Sequence, residues 1–194
     1  MPAVSPLIVP QHLRLQRWLL VAVLLWSAVA PLSADDIRIL VDTESRVLQV
    51  LRGTRVVASF EDIAIGRYGK SYFRGKGDNR TPLGTFRIGW ITSRTRYHLF
   101  LGLTFPDLEA ADRALQDGRI DEPQWQAVRR ASVAGTIPPQ NTPLGGNIGI
   151  HGIGEGDLEV HGQYNWTNGC VALTNAQIDR LARWVKIGTP VEIR

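Results

Sequence analysis

The chain has 194 residues, 44% of them apolar, one cysteine and a formal net charge of +4. That apolar content excludes a disordered chain, and the length suits a single domain with its own core. So small a charge surplus does not argue for nucleic acid, which calls for a concentrated basic face, and a lone cysteine excludes a disulfide framework.

Residues 1–34 read as a secretory leader. Arg14 and Arg17 precede an apolar run from Trp18 to Ala30, and Leu32-Ser33-Ala34 follows with small residues before Asp35. Basic, apolar and small-residue regions in that order mark an exported bacterial protein, with cleavage after Ala34. The alternative is an uncleaved anchor, the only contact with a membrane that the sequence suggests. The apolar run is shorter than the roughly 20 residues a span requires, which favours cleavage. Losing Arg14 and Arg17 leaves about +2 on residues 35–194, compatible with an anionic polymer outside the cell. In the periplasm or cell envelope the thiol has no partner within the chain.

The first half of the domain reads as strands. Ile37–Val41, Arg46–Leu51 and Arg55–Phe60 are β-branched runs between turn formers, a meander. A glycine-rich basic stretch from Gly66 to Gly84 follows, then strands at Thr85–Ile91 and Tyr97–Leu103. The period then changes. Leu108, Ala111 and Leu115 share one helical face, ended by Gly118. Asp121 caps a second helix with Pro123 in its first turn, closed by Gly135. This pair, about 107–135, reads as a helical insertion in a β domain. A loop from Pro138 to Gly146 leads to a short strand, Asn147–His151. A last helix runs from about Asn175 to Ile187, Gly188 stops it, and Thr189–Ile193 is a final strand.

The chemistry concentrates at Trp166-Thr167-Asn168-Gly169-Cys170-Val171-Ala172-Leu173, downstream of Ile150-His151-Gly152. A thiol is mostly protonated at neutral pH, with a pKa of about 8.5, and its thiolate is the nucleophile. An imidazole can take that proton. Gly169 lets a backbone or substrate approach, and the amides of Asn168, Gly169 and Cys170 are placed to hold a developing oxyanion. The competing reading is a small buried apolar residue, the usual fate of a free cysteine. The flanking Thr-Asn-Gly are turn formers, which argues for the nucleophile. With a helix read from Thr174 to Val185, the thiol is expected just before a helix start, where its pKa falls. Trp166 reads as a core aromatic, a cleft wall or both.

Other motifs carry less. Ala64 to Ser71 fits the loosest form of a phosphate-binding loop, but Gly75, Gly77 and Pro82 forbid the helix that such a loop must open. His151, Glu155, Asp157, Glu159 and His161 are irregularly spaced among glycines in what reads as a flexible loop, so no metal site is expected. His161 alone reads as a loop or hydrogen-bonding histidine. His98, read in a strand, is either structural or a cleft residue. Thr81-Pro82-Leu83-Gly84-Thr85-Phe86 is a turn entering a strand.

Together these segments resemble the L,D-transpeptidase catalytic domain, the YkuD-like family of bacterial cell-wall enzymes. The family signature is a histidine, a spacer, then Ser or Thr, usually His, Gly and Cys; here fifteen residues lie between His151 and Thr167-Asn168-Gly169-Cys170. The upstream element Gly77-Asp78-Asn79-Arg80-Thr81-Pro82-Leu83-Gly84-Thr85-Phe86 and the ending Ile187-Gly188-Thr189-Pro190-Val191-Glu192-Ile193 also match, from about Ile37 onward. The resemblance implies a mostly β, sandwich-like fold with the cysteine in a cleft. Cys170 is then the acyl-accepting nucleophile and His151 its general base. The amides of Asn168, Gly169 and Cys170 form the oxyanion hole, and Thr167 and Trp166 lie on the substrate side. Two departures stand out. Asn168 replaces the usual histidine. Ala172 replaces a common arginine, so a charged contact near the cleft is expected to be missing.

The implied reaction is attack on the third residue of a peptidoglycan stem tetrapeptide, release of D-alanine, and transfer of the thioester to an amine of a second stem or a wall-linked protein. No metal or organic cofactor is called for. The same pair with water as acceptor gives a carboxypeptidase or amidase-type hydrolase. A wall-binding domain without catalysis is the reading from another class, and the intact pair argues against it.

Overall fold

The computed structural model describes residues 36–194, so the expected leader lies outside the described residues. In chain order the elements are β1 (Ile37–Asp42), β2 (Val47–Arg52), β3 (Arg55–Phe60), β4 (Lys70–Ser71), β5 (Thr81–Pro82), β6 (Gly84–Thr92) and β7 (Phe100–Leu103). There follow α1 (Leu108–Gln116), α2 (Glu122–Ala134), β8 (Gly149–Gly152), α3 (Leu158–Gln163), β9 (Val171–Leu173), α4 (Asn175–Ala182) and β10 (Pro190–Ile193). The fold is mostly β, as the sequence suggests. Eight strands form one mixed sheet in the order β3-β2-β1-β10-β6-β7-β8-β9, and β4 and β5 pair separately.

The meander forms because its turns are chemically specified. Asp42 Oδ1 accepts the amides of Glu44 (3.1 Å) and Ser45 (2.9 Å). Across the β1–β2 ladder Ile39 faces Val50 and Val41 faces Leu48, and all four are fully buried. β10 returns from the end of the chain to lie parallel to β1 and antiparallel to β6, which fixes the middle of the sheet. Each buried aliphatic side chain contributes about 1.5–3 kcal/mol. The run of them through Ile88, Leu101, Ile150 and Val171 holds β6 to β9 as a rigid frame for the site.

The helical pair begins as its caps dictate. Asp107 accepts the Ala110 amide (2.8 Å), and Asp121 and Gln124 form a reciprocal capping box. Gly135 ends α2 at φ 64°. Trp125 Nε1 donates to Asp112 Oδ1 at 2.6 Å and ties the two helices together.

Four expectations differ. The strand expected from Tyr97 begins at Phe100; His98 takes φ 70° in the preceding turn. The segment read as a flexible loop holds α3, because Asp157 caps it by accepting the Glu159 (2.7 Å) and Val160 (3.2 Å) amides. The last helix ends at Ala182, where the Trp184 amide turns back onto Leu181. And β9 stands between Cys170 and α4.

Candidate active site

β8 and β9 run parallel, with Ile150 opposite Val171 and His151 opposite Ala172. Opposed residues point to one face, and residues two apart share it. His151 and Cys170 therefore project to the same face as diagonal neighbours, and both line one cavity of about 990 Å³. Trp166, Thr167 and Asn168 line it as well. The sequence-expected residues thus converge, apart from Gly169, which sits within the turn and does not line the cavity.

His151 is 2% exposed. Its Nδ1 lies 2.7 Å from the carbonyl of Gly152, which can only accept, so Nδ1 carries the proton and Nε2 keeps its lone pair. Tyr97 stacks on the ring with centroids 4.1 Å apart, and Trp166 meets it edge-on at 5.9 Å. Gly152 is required at this strand end: a Cβ there would lie 2.6 Å from Asn175 Oδ1 and 2.9 Å from the Tyr97 carbonyl.

Burial pushes the His151 imidazole from 6.5 down to about 4. The unfolded chain binds that proton more tightly than the folded one. Stability present above pH 6.5 is therefore lost as the pH falls toward 4, by about 3 kcal/mol in all. Burial also lowers His161, with the same sign. Thermal melts are expected to fall steeply between pH 7 and 4.5, and less steeply in His151→Gln; an equal slope in the variant contradicts this assignment.

Cys170 is half-buried, and its Sγ contacts the Asn147 carbonyl at 3.5 Å. Burial pushes the thiol up to about 11, while the Gly149 amide and Arg74 pull it back. At rest the pair is a neutral thiol and a neutral imidazole. The expected help from a helix start is not there. Val171, Ala172 and Leu173 are each wholly buried and continue the sheet as β9, so three extended residues, about 10 Å, separate the sulfur from α4.

The turn before Cys170 is set by Thr167. Its buried Oγ1 donates to the Cys170 carbonyl (2.7 Å) and accepts the Gly169 amide (3.1 Å). The Gly169 N–H is therefore already engaged, which corrects the expectation of three free amides. Gly169 sits at φ 122°, and a Cβ there would lie 2.6 Å from the Arg80 carbonyl. Gly169→Ala is expected to lose at least about 2 kcal/mol by denaturant titration, and a neutral result contradicts the turn geometry.

The segment read as no phosphate loop has another task. Ala64 exchanges amide bonds with Ala172 (3.1 and 2.7 Å), and the Thr167 amide donates to Ile65 (3.1 Å) while its carbonyl accepts from Arg67 (2.9 Å). The Arg67 guanidinium then holds the Asn168 side chain at 2.6 Å.

Elsewhere, His161 is buried in α3 and accepts from Trp166 Nε1 at 3.3 Å, a hydrogen-bonding histidine. His98 pairs with Asp179 on the surface, away from the cavity. Among the described residues no three His, Cys, Asp or Glu side chains gather as a metal site, and no helix is long and apolar enough to cross a membrane.

A family model for the L,D-transpeptidase catalytic domain matches residues 36–193. The chain belongs to that family. No curated protein matches the sequence. Among solved structures this L,D-transpeptidase domain is similar to the helical cell shape determining protein Pgp2 from Campylobacter jejuni, at 22% identity and a TM-score of 0.54, covering 82% of this chain and 48% of that one. It is also similar to Bd1075 of Bdellovibrio bacteriovorus, at 22% identity and a TM-score of 0.51, covering 82% and 48%. At such identities the likeness is one of fold, and the chain spans about half the length of both structures.

Ala172 brings no charge at its own position, but basic residues from other segments line the cavity. Arg74, which the sequence reading passed over, lines the cavity and acts electrostatically on Cys170. Its signal was only a basic residue in the glycine-rich stretch. Asn147, Tyr97 and Phe100, the other contacts of the pair, were equally silent, since a backbone carbonyl and ring stacking leave no spacing pattern.

Proposed function

We propose that this domain is an exported, cysteine-dependent acyl transferase acting on peptidoglycan stem peptides. The observation that supports it most is the shared face and cavity of His151 and Cys170, with Nε2 unprotonated. A substrate carbonyl entering the cavity draws the thiol away from Asn147. The thiol proton passes to His151 Nε2 as sulfur bonds to the carbonyl carbon of the third stem residue. Developing negative charge on oxygen meets the amides of Cys170 and Asn168. The C–N bond then breaks, the imidazolium protonates the departing amine of D-alanine, and a thioester remains on Cys170. An amine from a second stem or a wall-linked protein attacks it, giving up a proton to His151 and restoring the thiol. Gly152 plays the orienting part that a carboxylate takes in other triads.

The leader at 1–34 carries the domain to the periplasm, where its substrate lies. Pgp2, a structural neighbour, is described as determining helical cell shape, an outcome that remodelling stem peptides can produce. Incubating the purified domain with tetrapeptide stems and weighing the products tests this. Cross-linked dimers with release of D-alanine are expected. Shortened monomers alone assign the acceptor as water, and unchanged tetrapeptide overturns the proposal.

A further inference from the structure

Arg74 is the one buried guanidinium among the described residues, at 7% exposure. A buried cation costs several kcal/mol unless it is compensated. Its compensation is incomplete. Nε donates to the Arg80 carbonyl (2.9 Å), Nη1 to Leu144 (2.6 Å) and Nη2 to Asn168 (3.4 Å), all neutral acceptors. Its carboxylate, Asp78, stands 3.9 Å from Nε and is itself partly solvated. The ring of Phe105 lies 5.4 Å away. So a positive charge is held in place with weak local neutralisation.

What it faces is the turn that carries the sulfur. A Cβ at Gly169 would lie 3.1 Å from Arg74 Nε and 3.2 Å from Nη2, so the guanidinium packs against the residue before Cys170. A side chain at 145 would meet Arg74 Nη1 at 2.2 Å, and one at 169 would crowd the guanidinium as well as the Arg80 carbonyl, so the arginine is seated between those two glycines. Ala172, by contrast, is wholly buried, and its backbone is bridged to Ala64.

We propose that Arg74 stabilises the Cys170 thiolate and, through the Asn168 carbonyl, holds the turn that presents the amides. The inference rests on the reading of Cys170 as nucleophile. Arg74 touches no reacting atom and is a positioning residue. The other charged or titratable groups around the cavity are His151, Tyr97, Arg67, Arg94, Arg96, Glu155 and Asp157. Of these, Arg67 reaches the turn through the Asn168 side chain.

The test is the rate of alkylation of Cys170 by iodoacetamide, a neutral reagent, at fixed pH near 8. Below the thiol midpoint that rate follows the thiolate fraction. Removing an opposite charge packed against the turn that carries the thiol is worth about one pKa unit, so Arg74→Gln is expected to react about tenfold more slowly. Arg74→Lys keeps the charge and is expected within about threefold of the unmodified protein. Asp78→Asn, which removes the competing carboxylate and keeps an acceptor for one of the two amides, Gly75 or Arg80, that Asp78 holds, is expected to stay folded by circular dichroism and to react about twofold faster. A glutamine variant as fast as the parent, or a lysine variant as slow as the glutamine one, overturns the proposal. If Arg74→Gln fails to fold by circular dichroism, Asp78→Asn decides: a faster rate supports the inference and an unchanged or slower one overturns it. Alkylation needs no peptide, so failure of Cys170 to process stems is a separate result.

Discussion

Cys170→Ala is expected to abolish turnover of stem peptides, a loss of at least about 10⁴-fold, because Cys170 is the thiol that shares a face with His151 and carries the acyl intermediate. Its fold should survive. The side chain is small and half-buried, and its contact to the Asn147 carbonyl is long, at 3.5 Å. The Thr167 bonds that shape the turn use the backbone of residues 169 and 170, which alanine retains. A melting temperature within a few degrees of the parent is therefore expected, for a change of about 1 kcal/mol or less. Residual turnover above a hundredth of the parent rate, in a preparation free of parent enzyme, contradicts the assignment.

His151→Ala is expected to lose about 10²–10⁴-fold in kcat/KM, the usual range for a general base. Here the base does more than usual. Burial holds the thiol near 11, so without a proton acceptor very little thiolate exists at neutral pH. The pH profile carries the signature. His151 accepts a proton only while neutral, so the parent rate is expected to fall as the pH drops through about 4. The variant should lack that acid limb and climb toward alkaline pH as the thiol ionises by itself. Alanine also leaves a gap under Tyr97, so His151→Gln serves as the control for packing. A variant with the parent's acid limb removes His151 from the mechanism.

How much of this was legible depends on what each feature leaves in the primary structure. The meander was readable because β-branched runs alternate with Asp, Gly and Ser turns, and Arg55–Phe60 falls as expected. The helical pair was readable from the apolar face of Leu108, Ala111 and Leu115 and from the cap and stop of the second helix, Asp121 and Gly135, which act through local hydrogen bonds. β9 was hidden, because three apolar residues before a capped helix look like its lead-in; only the ladder to β8 makes them a strand. α3 was hidden by its glycines, although Asp157 offered a cap. In the site, Cys170 and His151 were legible through their chemistry and the family pattern. The aromatic bracket around His151 and the buried seat of Arg74 come from residues that tertiary folding alone brings together.

The most direct test is intact mass measurement of the domain, acid-quenched during reaction with a tetrapeptide stem, followed by peptide mapping. The account predicts an added mass equal to the tripeptide acyl group, on the peptide containing Cys170, cleavable by hydroxylamine and absent from Cys170→Ala. Turnover of the stem with no such adduct, or an adduct on any other residue, would contradict it.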